Sequence, residues 1–139
     1  MIVYRDLRRW KYQLVEPYKI ETYFQIGHFI DVPYIKLNHE HGELIVMPGY
    51  AWDGPSGPTP DFKSSMRGSL IHDALYQLMR MNKLGIEWRP RVDDLLMYCL
   101  IADGMPRWLA RIYWLAVRLF ARNRATPQSE RLPRLVSAP

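Results

Sequence analysis

His72 and Asp73 stand side by side in Ser69-Leu70-Ile71-His72-Asp73-Ala74-Leu75-Tyr76, a stretch with the periodicity of a helix. A glycine- and proline-rich run, Trp52-Asp53-Gly54-Pro55-Ser56-Gly57-Pro58, precedes them, and an acidic pair, Asp93-Asp94, follows. An imidazole titrating near neutrality can deprotonate water, provided a partner orients its second nitrogen. On a helix His72 and Tyr76 share a face, whereas Asp73 is turned about 100° away, so base and carboxylate serve different directions. Asp93 or Asp94 is the expected partner of His72 if the two helices pack antiparallel. Asp73 is then free to hold a divalent cation. Asp53 and the carbonyls of the 53–58 loop, Gly54 and Gly57 among them, would complete an oxygen shell of the kind calcium takes. Calcium so held would polarise an ester carbonyl and stabilise the developing oxyanion.

These groups have to be positioned by the elements around them. Residues 1–50 read as strands. Segments 18–24, 29–32, 34–37 and 43–47 carry β-branched and aromatic residues, with a polar turn at 38–42. They predict an antiparallel hairpin, with Pro33 confining its strand to an edge or a bulge. The connector 50–64 holds five prolines or glycines between Gly54 and Pro60, which predicts no regular structure there. From Ser64 the apolar period becomes helical, through Leu70, Ile71, Ala74, Leu75 and Leu78, with Ser64 or Ser65 as cap. This helix is expected to end between Asn82 and Gly85.

A second helix is expected from about Pro90 to Ala102, opening on Asp93 and Asp94 where the dipole favours acids and closing at Asp103-Gly104. A third runs from Pro106 to about Arg122. Its arginines 107, 111, 118 and 122 fall within roughly 60° of one another. The expected fold is α+β: an N-terminal antiparallel hairpin or small sheet packed on three helices. Residues 1–123 form a single globular domain, and 124–139 a flexible basic tail.

Composition bounds the function. The chain has 139 residues, 48% of them hydrophobic and 13% aromatic, enough for one folded core. Its one cysteine, Cys99, lies in an apolar run, which points to a buried, inert thiol and a reducing compartment. The first nine residues contain no apolar core of signal-peptide length. The apolar run around 112–120, interrupted by Arg118, is too short to span a bilayer. The net charge of +5 favours an acidic partner surface. No nucleic-acid recognition motif accompanies it, so nucleic acid is the less favoured partner. His39-Glu40-His41 sits in a polar turn and reads as solvated, not as a metal site.

The order of glycine-rich loop, His-Asp-x-x-Tyr helix and Asp-bearing helix resembles phospholipase A2, closest in its compact, disulfide-free form in parvoviral capsid proteins. That resemblance implies His72 as base, Asp73 as calcium ligand, Asp93 as partner of His72 and Tyr76 as support. Carbonyls near Tyr50, Gly54 and Gly57 would line the ion.

A second resemblance covers about residues 40–121. Asp53-Gly54-Pro55-Ser56-Gly57-Pro58, His72-Asp73-Ala74-Leu75-Tyr76, Arg89-Pro90-Arg91-Val92-Asp93 and Val117-Arg118 are similar, in order, to a bacteriophage and prophage family of unknown function. It implies a phage-related protein acting in the host cytoplasm or the virion. Two functions follow: a calcium-assisted hydrolase of an ester or phospholipid, or a non-enzymatic phage accessory or virion component. In the second, the aromatic and basic third helix binds a phage or host protein, forms an oligomer or touches a membrane surface. His72 and Asp93 then simply tie two helices together.

Overall fold

The computed structural model describes residues 1–7, 12–55 and 59–126. Strands come first and helices after, an α+β arrangement. Strands β1 (Tyr4–Asp6), β2 (Tyr12–Leu14) and β7 (Ala51–Trp52) form one antiparallel sheet in the order β1-β2-β7. Strands β3 (Tyr18–Glu21), β4 (Ile30–Val32), β5 (Ile35–Leu37) and β6 (Glu43–Val46) form a second in the order β3-β6-β5-β4. Alternation decides which face is buried. Ile30, Val32, Ile35 and Leu37 point inward, while Asp31 and Lys36 face each other across the outer side, a favourable cross-strand pair.

Pro33 lies in the turn between β4 and β5, not within a strand as expected. With Tyr34 at φ +68° it closes the hairpin, and the strand it ends, β4, is an edge strand. The connector also departs from expectation. Its first two residues form β7, because Trp52 is buried and its indole nitrogen donates to Ser69 Oγ at 3.1 Å.

Among the described residues four helices follow, not three: α1 (Lys63–Arg80), α2 (Arg89–Ala102), α3 (Arg107–Phe120) and the single turn α4 (Arg122–Ala125), with a 3-10 turn at Ile86–Trp88 before α2. Ser65 does not occupy the cap position. It sits in the first turn, where its hydroxyl donates to the Phe62 carbonyl and accepts from the Phe62 N–H. Helices α1 and α2 end alike. Asn82 (φ +56°) and Gly104 (φ +97°) turn left-handed, and the next amides, of Lys83 and Met105, return to the carbonyls of Leu78 and Leu100 at 2.9 Å. Helix α4 takes the place of the start of the expected tail. Ala125 is fully buried, and Arg80 donates to the Arg124 carbonyl at 3.0 Å. The rest of that tail, 127–139, lies outside the described residues.

Helix α1 is the centre of the molecule, buried on most of its circumference from Ser65 to Met79. Gly68 sets how closely α2 approaches it. A Cβ at this position would lie 3.1 Å from Leu96 Cδ1 and 3.4 Å from Cys99 Cβ. The missing side chain thus lets side chains of α2 pack directly on the α1 backbone, one turn before His72. Cys99 is sealed there, its thiol pushed up to about 11 by burial.

Candidate active site

Helices α1 and α2 run antiparallel, so positions 72 and 76 of one come level with 93 and 89 of the other. His72 Nε2 lies 2.8 Å from Asp93 Oδ1. A carboxylate accepts, so this nitrogen carries the proton and Nδ1 is left as the basic atom. Tyr76 donates to the same Oδ1 at 2.6 Å, and Arg118 of α3 donates to Oδ2 at 2.9 Å. Arg89 donates through Nε to the Tyr76 hydroxyl at 3.1 Å. Its Nη2 donates to the carbonyls of Val117 at 2.9 Å and Arg118 at 3.0 Å, toward the negative end of the α3 dipole. Asp93 is 0% exposed and His72 2%. Among the described residues no buried side-chain nitrogen or oxygen lacks a partner.

Asp73 points elsewhere, as adjacent helical residues must. Its side chain is 20% exposed, and Oδ1 lies 3.9 Å from His72 Nδ1, within ion-pair range but beyond a hydrogen bond. The two groups line a cavity of about 10 Å³ together with Pro55, Ser65, Ser69 and Tyr113. That volume is about what one water requires. Tyr113 also donates to the Pro60 carbonyl and so pins the end of the connector onto α3.

Burial works against charge on His72, but the carboxylates of Asp73 and Asp93 outweigh it and hold the imidazole above its ordinary value of 6.5. Burial also works against charge on Asp93. Its hydrogen bonds from His72 and Tyr76, reinforced by Arg118, still hold it below 3.8. The stability consequence has two limbs. The contribution of His72 is fully present below pH 6.5 and is lost as pH rises through the raised imidazole value. That of Asp93 is present above pH 3.8 and is lost as pH falls through the lowered carboxylate value. Thermal midpoints in buffer free of divalent cations should therefore peak between these limits. His72→Gln should flatten the alkaline decline, and an unchanged alkaline limb in that variant would refute the assignment.

The structure brings His72, Tyr76, Asp93 and, on the cavity side, Asp73 together. Asp94 is not the partner: it is exposed and accepts from Trp114 Nε1 at 2.9 Å. Because α2 starts at Arg89, both acids lie past its first turn, and the network rather than the dipole accounts for Asp93. Asp53 is exposed. Gly54 is buried with φ +81°, facing Asp61 and Tyr12, and Gly57 lies outside the described residues. Burial and then the negative charge of Asp73, with a smaller share from Asp53, raise the Tyr50 hydroxyl. His39, Glu40 and His41 are exposed. Arg89 and Arg118 were not assigned to the site from the sequence. The i,i+4 spacing of Arg89 and Asp93 was the available signal for the first; Arg118 reaches Asp93 only through the packing of α3.

No protein-family model, curated protein or solved structure matches this chain. No helix among the described residues is long and apolar enough to cross a membrane.

Proposed function

We propose that the chain hydrolyses a carboxylic ester, with His72 as general base. The observation that carries this reading is the division of the imidazole: Nε2 is held by Asp93, Nδ1 lies 3.9 Å from Asp73 Oδ1, and His72 and Asp73 together line a water-sized cavity. Nδ1 takes a proton from water as its oxygen attacks the ester carbonyl, and Asp93 stabilises the imidazolium that results. Collapse of the tetrahedral adduct expels the alkoxide, which recovers the proton from Nδ1. Tyr76 and Arg118 hold Asp93 still, so the imidazole does not rotate.

Asp73 offers a partly exposed carboxylate to a hard cation, its Oδ1 3.9 Å from His72 Nδ1. Calcium bound there would supply positive charge against the oxyanion, although among the described residues no group of three or more His, Cys, Asp or Glu gathers to hold it. A phage or prophage setting, in the host cytoplasm or the virion, belongs to the same proposal and rests on the sequence resemblance alone.

The test is turnover of chromogenic short-chain esters with and without calcium chloride. His72→Gln should lose roughly 10²–10⁴-fold in rate while remaining folded, because glutamine can still donate to Asp93. Asp73→Asn should lose the calcium response. Wild-type turnover that survives His72→Gln would sink the proposal.

A second reading draws on the closure of the same network. Asp93 is fully buried, and Arg89 clamps the end of α3, as in a purely structural tie. The protein would then be a non-enzymatic phage accessory or virion component working through the outer face of α3, and no ester would be turned over.

A further inference from the structure

Helix α3 is buried through Ala110, Tyr113, Ala116 and Val117, yet it leaves large apolar side chains in solvent. Trp108 is 67% and Leu119 71% exposed, with Ile112 and Leu115 also exposed. At about 100° per residue these four occupy one stripe roughly 60° wide. Directly alongside, across another arc of roughly 40°, run the exposed Arg107 and Arg111. The other edge of the stripe is bounded by the fold itself. Between Asp103 and Glu130 the sequence contains no acid. A groove of about 330 Å³ between α2 and α3 is lined by Met97, Ile101, Arg107, Arg111, Trp114 and Asp94, whose carboxylate accepts from Trp114.

We propose that this face docks on the surface of an anionic phospholipid bilayer. An exposed stripe of Trp, Leu and Ile is suited to enter the boundary between headgroups and acyl chains, and arginines on its flank reach the phosphate level along their apolar stems. Charge complementarity selects the occupant. Arg107 and Arg111 match a lipid phosphate layer, whereas a second copy of the chain would bring like charges together. The contact is peripheral, since no described helix can span a bilayer. It stands independently of ester hydrolysis.

Flotation of the full chain with vesicles of phosphatidylglycerol and phosphatidylcholine, against pure phosphatidylcholine, tests this directly. Binding should require the anionic lipid and fall with added salt. Leu119→Glu and Trp108→Ser should each weaken it at least about tenfold. Arg107→Gln with Arg111→Gln should weaken it roughly fivefold for each arginine removed. All four positions are exposed, so circular dichroism and thermal midpoint should stay as in the wild type. His72→Gln should float like the wild type, and Leu119→Glu should turn over a soluble short-chain ester normally, which separates this proposal from the catalytic one. The proposal is overturned if the wild type fails to float with anionic vesicles, or if Leu119→Glu floats equally well. Leu119→Glu abolishing self-association or binding to an acidic protein, with no vesicle binding by the wild type, overturns it too.

Discussion

Asp93→Ala is expected to lower the unfolding free energy by about 3–5 kcal/mol, the range for removing one partner of a buried charge network. The reason lies in what the substitution strands. Asp93 accepts from His72, Tyr76 and Arg118, and none of these donors has another acceptor within the network positioned to replace it. Arg89 would be affected indirectly, because the Tyr76 hydroxyl it donates to would lose its own acceptor. A domain is typically stable by only about 5–15 kcal/mol, so the variant should be close to unfolding. Urea denaturation followed by tryptophan fluorescence measures the loss directly. Asp93→Asn, which keeps one carbonyl oxygen, should fall between the variant and the wild type. A loss below about 1 kcal/mol for Asp93→Ala would mean the network is not the tie between α1, α2 and α3 described above.

Gly42→Ala should destabilise by about 2–5 kcal/mol, combining left-handed backbone strain of about 1–2 kcal/mol with overpacking of about 1–3 kcal/mol. Gly42 has φ +65°. A Cβ there would lie 2.4 Å from Thr22 Oγ1, 2.5 Å from the Phe24 nitrogen and 2.8 Å from the Phe24 oxygen. Two of those atoms are backbone and cannot rotate away. The carbonyl of Gly42 also receives both the amide and the hydroxyl of Thr22, at 3.0 and 2.7 Å, so a shift would break the hydrogen bonds that continue the pairing of β3 with β6. Gly42→Asn separates the two causes. Asparagine tolerates left-handed backbone, so equal damage from Ala and Asn in chemical denaturation would assign the effect to sterics. A mild Asn variant would assign it to strain.

These two positions differ in how visible they are in the sequence. Gly42 ends the polar turn Asn38-His39-Glu40-His41-Gly42, and a glycine there fits a hairpin turn without any structure. That it must be glycine because of Phe24 depends on a chain segment eighteen residues away. His72, Tyr76 and Asp93 were readable as a set, because i,i+4 spacing puts the first two on one helix face and an antiparallel helix brings the third opposite. The choice between Asp93 and Asp94 was not readable from periodicity. Adjacent residues diverge by about 100°, and only the packing of α3 turns one toward His72 and leaves the other to Trp114.

The sequence by itself determined the α+β order, the helix ends at Asn82 and Gly104 and the buried faces of β4, β5 and α1, because all of these follow from local backbone preference and apolar period. Tertiary structure alone decided that Pro33 turns the chain, that Ala51–Trp52 pairs as a strand, that Ala125 joins the core, and that Arg89 and Arg118 enclose Asp93. Each of these depends on a partner distant in sequence. Neither the desolvation of a carboxylate nor the geometry of a cation beside it is encoded in any local window, so burial and charge at the site emerge only when α1, α2 and α3 meet.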